Sequence, residues 1–359
     1  MMKKSFQIGA AFIGVIVGAG FASGQEVLQF FTSFGAWGIL GSVIAAGLFA
    51  FLGMNLTQLG SRLQTKSHES VVYHICGKYF GTAVDFIITF FLFGVTVVMF
   101  SGSGAIFEQQ FGIPSLVGNI LMAVLVIGTV LLNVNIVISL ISMFTPILLL
   151  VVIALTIYSL AMFDFSTADF GAAAGSQAAP HWLLGACLYV SYNLAAGAAM
   201  MTVMGGTVKD EKVAGWGGLI GGLGLGLLIL LINVTMLTQL KAIAAVPMPT
   251  LFLANNISPV MGVLMSVILL GMIYNTAVGM LYAFTARLVK PGTQKFKASV
   301  GIFGVVAFAS SFVGFVTLVG TVYPVMGYLG FVLIAAIVIA WFRTKKAAKQ
   351  KKAAKVLSF

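Results

Sequence analysis

The stretch that decides the fold reads Gly14-Val15-Ile16-Val17-Gly18-Ala19-Gly20-Phe21-Ala22-Ser23-Gly24-Gln25-Glu26-Val27-Leu28-Gln29-Phe30-Phe31. Its two ends are as apolar as a membrane helix. Between them, Gly18, Gly20, Ser23 and Gly24 weaken helical backbone, and a carboxylate, Glu26, follows before the apolar run resumes. Gly14/Gly18 and Gly20/Gly24 also fit a GxxxG helix-packing face, but such a face gives no purpose to Gln25 and Glu26. A carboxylate at that depth is costly unless it meets a cavity or a partner. Glu26 is therefore a candidate functional residue, with a purely structural hydrogen-bonded glutamate as the plainer alternative. The glycines are not a dinucleotide fingerprint, because no strand precedes them.

The rest of the chain has the same character. Of 359 residues, 60% are apolar and 8% charged, against about 25% charged in soluble domains. Uncharged apolar runs long enough to cross a bilayer recur along the chain, and the alternation of an outer-membrane barrel is absent. Ten spans are predicted, at 6–32, 36–61, 82–107, 115–133, 136–162, 181–207, 213–239, 258–287, 298–317 and 319–342. The cuts between the fourth and fifth and between the ninth and tenth rest on a few residues only.

An even count places both termini on one side, and the positive charges say which. Of the 19 Lys and Arg residues, 18 fall on the same side as the termini and only Lys241 lies opposite. The positive-inside rule makes that side cytoplasmic. The net charge of +11 is thus a record of orientation rather than of a nucleic-acid partner, and the tail from Arg343 to Lys355 suits anionic lipid. Lys3-Lys4, an apolar run and Ala19-Gly20-Phe21-Ala22-Ser23 would also pass for a signal peptide; the segment is read as a retained helix. Cys76 and Cys187 should lie on opposite sides of the membrane, so no disulfide framework is expected.

A second interruption is predicted at Ser191-Tyr192-Asn193-Leu194-Ala195-Ala196-Gly197 in the sixth span. The first and sixth spans each open a set of five and run in opposite directions, so repeat one covers about 6–162 and repeat two about 181–342, within a single domain 1–342 followed by a basic tail 343–359. Two broken helices at matching positions of inverted halves point to a secondary-transporter site, where freed backbone groups meet the solute.

With that layout, the segment Phe12-Ile13-Gly14 through Gly18-Ala19-Gly20-Phe21-Ala22-Ser23-Gly24-Gln25-Glu26 resembles the YkvI-type bacterial membrane proteins. These look like a branch of the amino acid–polyamine–organocation superfamily. The resemblance implies an all-α integral membrane protein: ten transmembrane helices in a LeuT-type 5+5 inverted repeat, helices 1 and 6 broken, in the bacterial cytoplasmic membrane. It also implies a secondary active transporter, Na+- or H+-coupled, taking up a small amino acid or amine. The solute would lie near Gly20, Ala22, Ser23, Gly24, Glu26, Ser101, Ser103, Tyr192 and Asn193, with Tyr189, Tyr192 and Tyr274 as candidate cation–π faces.

In such folds a sodium ion sits between carbonyls of the first helix and hydroxyls of the eighth, which carries over to Gly14 and Val17 with Asn275 and Thr276. Oxygen donors suit a hard cation; the alternative is that Thr276 bonds back to its own helix. No lysine stands in the fifth span, where some sodium-independent relatives carry one. No organic cofactor is expected, and Glu26 is the candidate proton carrier.

Other features have structural readings. Seven glycines between Gly215 and Gly226 suit close helix contact, Pro146 and Pro324 suit kinks, and Val246-Pro247-Met248-Pro249-Thr250 to Asn256 reads as an outer loop with a short helix. His68, His74 and His181 lie away from mid-membrane, so no base stands beside a nucleophile and an enzyme is not expected. A non-transporting nutrient receptor on the same fold is the functional alternative.

Overall fold

In the computed structural model, residues 2–64, 68–132, 150–162 and 175–357 are described, together with Ile147, Gly171 and Ala173. Side chains of residues 68–85, 199, 340 and 343–357 fall outside that description. Lys66, Pro146, Asp164 and Asp169, the imidazoles of His68 and His74 and the thiol of Cys76 therefore lie outside the described groups.

Every regular element among the described residues is helical. The first predicted span is three helices, α1 (Met2–Ile16), α2 (Ala19–Ser23) and α3 (Gln25–Phe30), followed by α4 (Ala36–Leu63), α5 (His68–Phe111) and α6 (Ser115–Leu132). Then come α7 (Leu150–Ala161) and α8 (Trp182–Gly206). After α9 (Glu211–Leu237), two short helices, α10 (Leu240–Ile243) and α11 (Pro249–Ile257), form the predicted loop, and α12 (Pro259–Leu288), α13 (Gln294–Ser310) and α14 (Phe315–Leu357) complete the chain.

Seven helices among the described residues are long and apolar enough to cross a membrane, and α8 makes an eighth if its two arms are one span. The count of ten reaches beyond these: α1–α3 are each too short alone, and the described part of the fifth span is α7. The ninth and tenth spans part at a 3-10 turn, Ser311–Val313, and at Gly314, whose φ of 96° ends one helix and starts the next. α14 runs through Pro324 and past residue 342 as one helix, so the expected boundary of the basic tail is not a break in the backbone.

The apolar residues are arranged for lipid. α6 exposes Leu116, Val117, Ile120, Leu121, Val124 and Leu125 along one side. Trp37 and Trp182, at the starts of α4 and α8, stack at 5.5 Å, a pairing suited to a membrane–water boundary. At the other ends, Arg62 of α4 pairs with Glu211 of α9 at 2.8 Å, and its guanidinium stands 5.8 Å from the Trp341 ring of α14. These ends meet on one face, as the span parity requires.

Glycines set the core distances. Helix α4 packs along α9 and α8, and α1 along α9. A methyl group added at Gly218 or Gly222 of α9 would fall on the backbone of Gly53 or of Phe49–Ala50 in α4, and one at Gly221 would meet Gly9 and Phe12 of α1. The glycine run of the seventh span is therefore a two-sided seam, as its composition foretold. Of the two expected GxxxG pairs on the first span, Gly14/Gly18 is corrected: Gly14 has open space around it, Gly18 barely touches Thr276, and the α1 contact is made by Gly9. Gly24 of the second pair does pack closely, against Met236 of α9 and Thr250 of α11.

Candidate functional site

The backbone of the first span comes apart at two points. After α1, the Val17 amide still donates to Ile13, but the Gly18 amide donates to Ile16 instead of Gly14. The Gly14 carbonyl thereby loses its helical partner. Gly24, with φ 79°, then separates α2 from α3. A side chain there would be strained and would strike Met236, Thr250 and Pro249. The sequence placed one break near Gly18-Ala19-Gly20; there are two, and the second turns Glu26 back toward the first.

That turn builds the centre of the site. The Glu26 carboxyl lies directly over Gly20, where any Cβ would fall on its Oε1. Its Oε2 accepts a 2.6 Å hydrogen bond from the Tyr192 hydroxyl of α8. Tyr192 stacks on Tyr323 of α14 with ring centroids 4.9 Å apart and 25° between planes. The Tyr189 hydroxyl, buried without a hydrogen-bond partner among the described residues, faces the same carboxylate. Glu26 is 6% exposed, and among the described residues the titratable groups around it are phenols, not cations.

A cavity of about 650 Å³ opens beside this cluster. The broken span contributes Gly14, Val17, Gly18, Gly20 and Glu26, and α8 contributes Tyr192 and Asn193. Phe91, Val95 and Met99 come from α5, Met272, Asn275 and Thr276 from α12, and Tyr323 from α14. The cavity thus gathers Gly14, Val17, Gly20, Glu26, Tyr192, Asn193, Asn275 and Thr276, eight of the residues picked from the sequence. Thr276 makes no hydrogen bond to a described residue, whereas Thr285 and Thr129 bond back one turn, to Leu281 and Leu125. Its hydroxyl faces Gly18, 4.0 Å from where a methyl there would stand.

The other expected residues lie elsewhere. Ser103 donates to Phe100 and Gly118, joining α5 to α6, and Ser101 is buried away from the cavity. Ser23 donates to the Gly20 carbonyl and accepts from the Gln25 amide, so its hydroxyl stitches the break together. Ala22 and Gly24 lie on the far side, under α11: Thr250 donates to the Ala22 carbonyl at 2.6 Å. Tyr274 is hydrogen-bonded to Thr129 at 2.6 Å instead of facing the cavity. Tyr323 takes the place expected for it; a tyrosine beside Pro324 at mid-span was the available signal.

The expected interruption at Ser191–Gly197 is also corrected. Helix continues through it, with Asn193 donating back to the Tyr189 carbonyl and Ser191 to the Gly327 carbonyl of α14. The bend comes later: Trp182–Ala198 and Met200–Gly206 meet at 55°. Polar side chains that bond to backbone carbonyls let a helix pass where their mere presence suggests a break.

No family model matches the sequence. The chain is 28% identical over 334 residues to the uncharacterized membrane protein YkvI of Bacillus subtilis (strain 168), covering 92% of this chain and 94% of the relative. Among solved structures, the inward facing conformation of Mhp1 matches with a TM-score of 0.63 and 14% identity, over 94% of this chain and 75% of that one. MhsT in complex with L-phenylalanine matches with a TM-score of 0.62 and 16% identity, over 92% and 87%. With the broken first span and the bent α8, these likenesses make the chain an all-α membrane protein of LeuT-type fold, similar over nearly its whole length to the YkvI-type bacterial membrane proteins.

Proposed function

We propose that the protein is a coupled secondary transporter that moves a small amino-group-bearing solute, an amino acid or an amine, through the cavity at the broken first span. The observation that carries this reading is the buried Glu26–Tyr192 pair lining a half-open cavity between the first break, α8 and α12. Irregular backbone at membrane depth is tolerated where it lines a solute path. The likeness to MhsT, solved with L-phenylalanine, supports a solute of that size.

The coupling ion is a proton on Glu26 or a sodium ion between the Gly14 and Val17 carbonyls and the side chains of Asn275 and Thr276. The free Gly14 carbonyl and unbonded Thr276 hydroxyl support the second site. In the proposed topology the protein sits in the bacterial cytoplasmic membrane with both termini inside, which makes the open side of the cavity cytoplasmic and the α11 side external.

Uptake by the purified protein in liposomes is the test. Accumulation of labelled amino acids or amines driven by a sodium or proton gradient is the expected result. Binding without flux across both gradients would replace the transporter with a receptor. Thr276→Ala should abolish any sodium-dependent thermal stabilisation by solute, since a ligand raises stability only through its binding to the folded form; identical stabilisation in sodium and choline buffers removes the sodium site.

A further inference from the structure

Among the described residues lining the cavity, Glu26 is the only charged one; no lysine, arginine or histidine among them accompanies it. The titratable groups that face it are Tyr189 and Tyr192 from α8 and Tyr323 from α14. On the cavity walls, α5 supplies Phe91, Val95 and Met99, and α12 supplies uncharged Asn275 and Thr276. A buried carboxylate without a cationic partner has two low-energy conditions: protonated, or paired with a cation brought to it. A solute carboxylate would find no cationic side chain among the described residues of this cavity and would stand beside the Glu26 oxygens. The stacked rings of Tyr192 and Tyr323 both line the cavity, and aromatic faces favour an organic ammonium ion.

Building on the transporter reading, we propose that the solute is a monovalent organic ammonium ion lacking a carboxylate, and that it exchanges for the proton of Glu26. On one side, the ammonium ion enters, the Glu26 O–H bond breaks, the proton passes to cavity water, and the ion pair forms. On the other side, a proton from solvent bonds to the carboxylate and the ammonium ion leaves. One positive charge moves each way, so the cycle is electroneutral. Exchange is obligatory because one carboxylate cannot be satisfied by both cations at once.

The full chain, reconstituted in liposomes enclosing a pH-sensitive dye, tests this with benzyltrimethylammonium, tetraethylammonium and choline, whose fixed charges cannot carry protons through lipid. Adding such an ion outside should raise the internal pH, at a rate unchanged when the membrane potential is clamped. L-phenylalanine should give no such change. Glu26→Gln should lower the proton flux by roughly 100-fold or more, with Glu26→Asp keeping measurable exchange. If Glu26→Gln does not fold, the wild-type protein in weakly buffered detergent still decides, since ammonium binding should release protons, up to one per chain.

Uptake of labelled L-phenylalanine, with none of the three ammonium ions moving protons, would overturn the ammonium exchange and leave the transporter standing. Binding of the ammonium ions without proton release would overturn the exchange alone. Absence of flux of either solute class would overturn both.

Discussion

The two halves of the broken first span are held in opposite ways. α1 lies against α9 through the seam of Gly9, Gly217 and Gly221, backbone on backbone, and lines the open cavity with its other side. α2 and α3 are wholly buried, and polar groups on three segments of the α11 side hold them. Thr250 reaches the Ala22 carbonyl. The Gln25 amide, turned so that its oxygen faces Gln29, donates to the carbonyls of Val246 and Pro247. Gln29 donates to Val316, and its carbonyl accepts from the Ala178 amide. A glycine seam forbids small adjustments, because any gap forfeits close contacts along its length. Side-chain hydrogen bonds, each worth about 1 kcal/mol net, can be exchanged for water one at a time. In the proposed transport cycle the α1 side would move as a block, and the α3 side would be unlatched.

The largest effect should come from the point where the halves meet. Gly20→Ala puts a methyl group where the Glu26 carboxyl now lies, so solute transport should fall roughly 30-fold or more, with about 1–3 kcal/mol lost in stability. Near-normal flux would mean that the carboxyl does not need its seat on Gly20. Next, Gly221→Ala should force α1 off α9 and cost about 1–3 kcal/mol in thermal unfolding, since the added carbon meets the Gly9 carbonyl and Phe12. A neutral outcome would break the contrast between rigid and separable halves.

Thr250→Ala should cost only about 1 kcal/mol, but that is enough to shift an equilibrium several-fold. In a background with Cys76 and Cys187 replaced by serine, labelling of Ser23→Cys by an impermeant thiol reagent from the α11 side should rise about fivefold. Unchanged labelling would show that Thr250 does not hold the α11 side shut. The smallest effect belongs to Gly14→Ala, which keeps the carbonyl and meets open space; stability should change by less than about 0.5 kcal/mol.

The break and its carboxylate were legible in the sequence; the polar contacts that hold α2 and α3 were not. A carboxylate after a glycine cluster in an apolar run has few explanations, so Glu26 and the break announced themselves. The seven glycines of the seventh span announced their seam in the same way. Less legible was which polar side chains serve the cavity. Ser23, Ser103, Ser191 and Asn193 all donate to backbone carbonyls, and such bonds depend on three-dimensional neighbours that spacing does not reveal. Asn193 alone of the four also lines the cavity. Tyr323 was missed and Tyr274 chosen because one tyrosine in a membrane helix looks like another until the helix's rotation is known. The bend in α8 was expected a few residues early, at Ser191–Gly197, where Ser191 and Asn193 bond to backbone carbonyls and the helix continues.

In the proposed cycle the long last helix would act as an amplifier. α14 has 43 residues, about 64 Å at 1.5 Å each, twice what the roughly 30 Å hydrocarbon layer needs. It is pinned where the Trp341 indole donates to Gln58 at 2.9 Å, and from there residues 342–357 extend as an unbroken rod of about 24 Å. If α14 tilts by about 10° about that pin as Tyr323 follows Glu26, the free end swings by about 4 Å on the same rise per residue. A lever of this length turns a small rearrangement in the middle of the membrane into a displacement that a partner or a spectroscopic label at the far end can read.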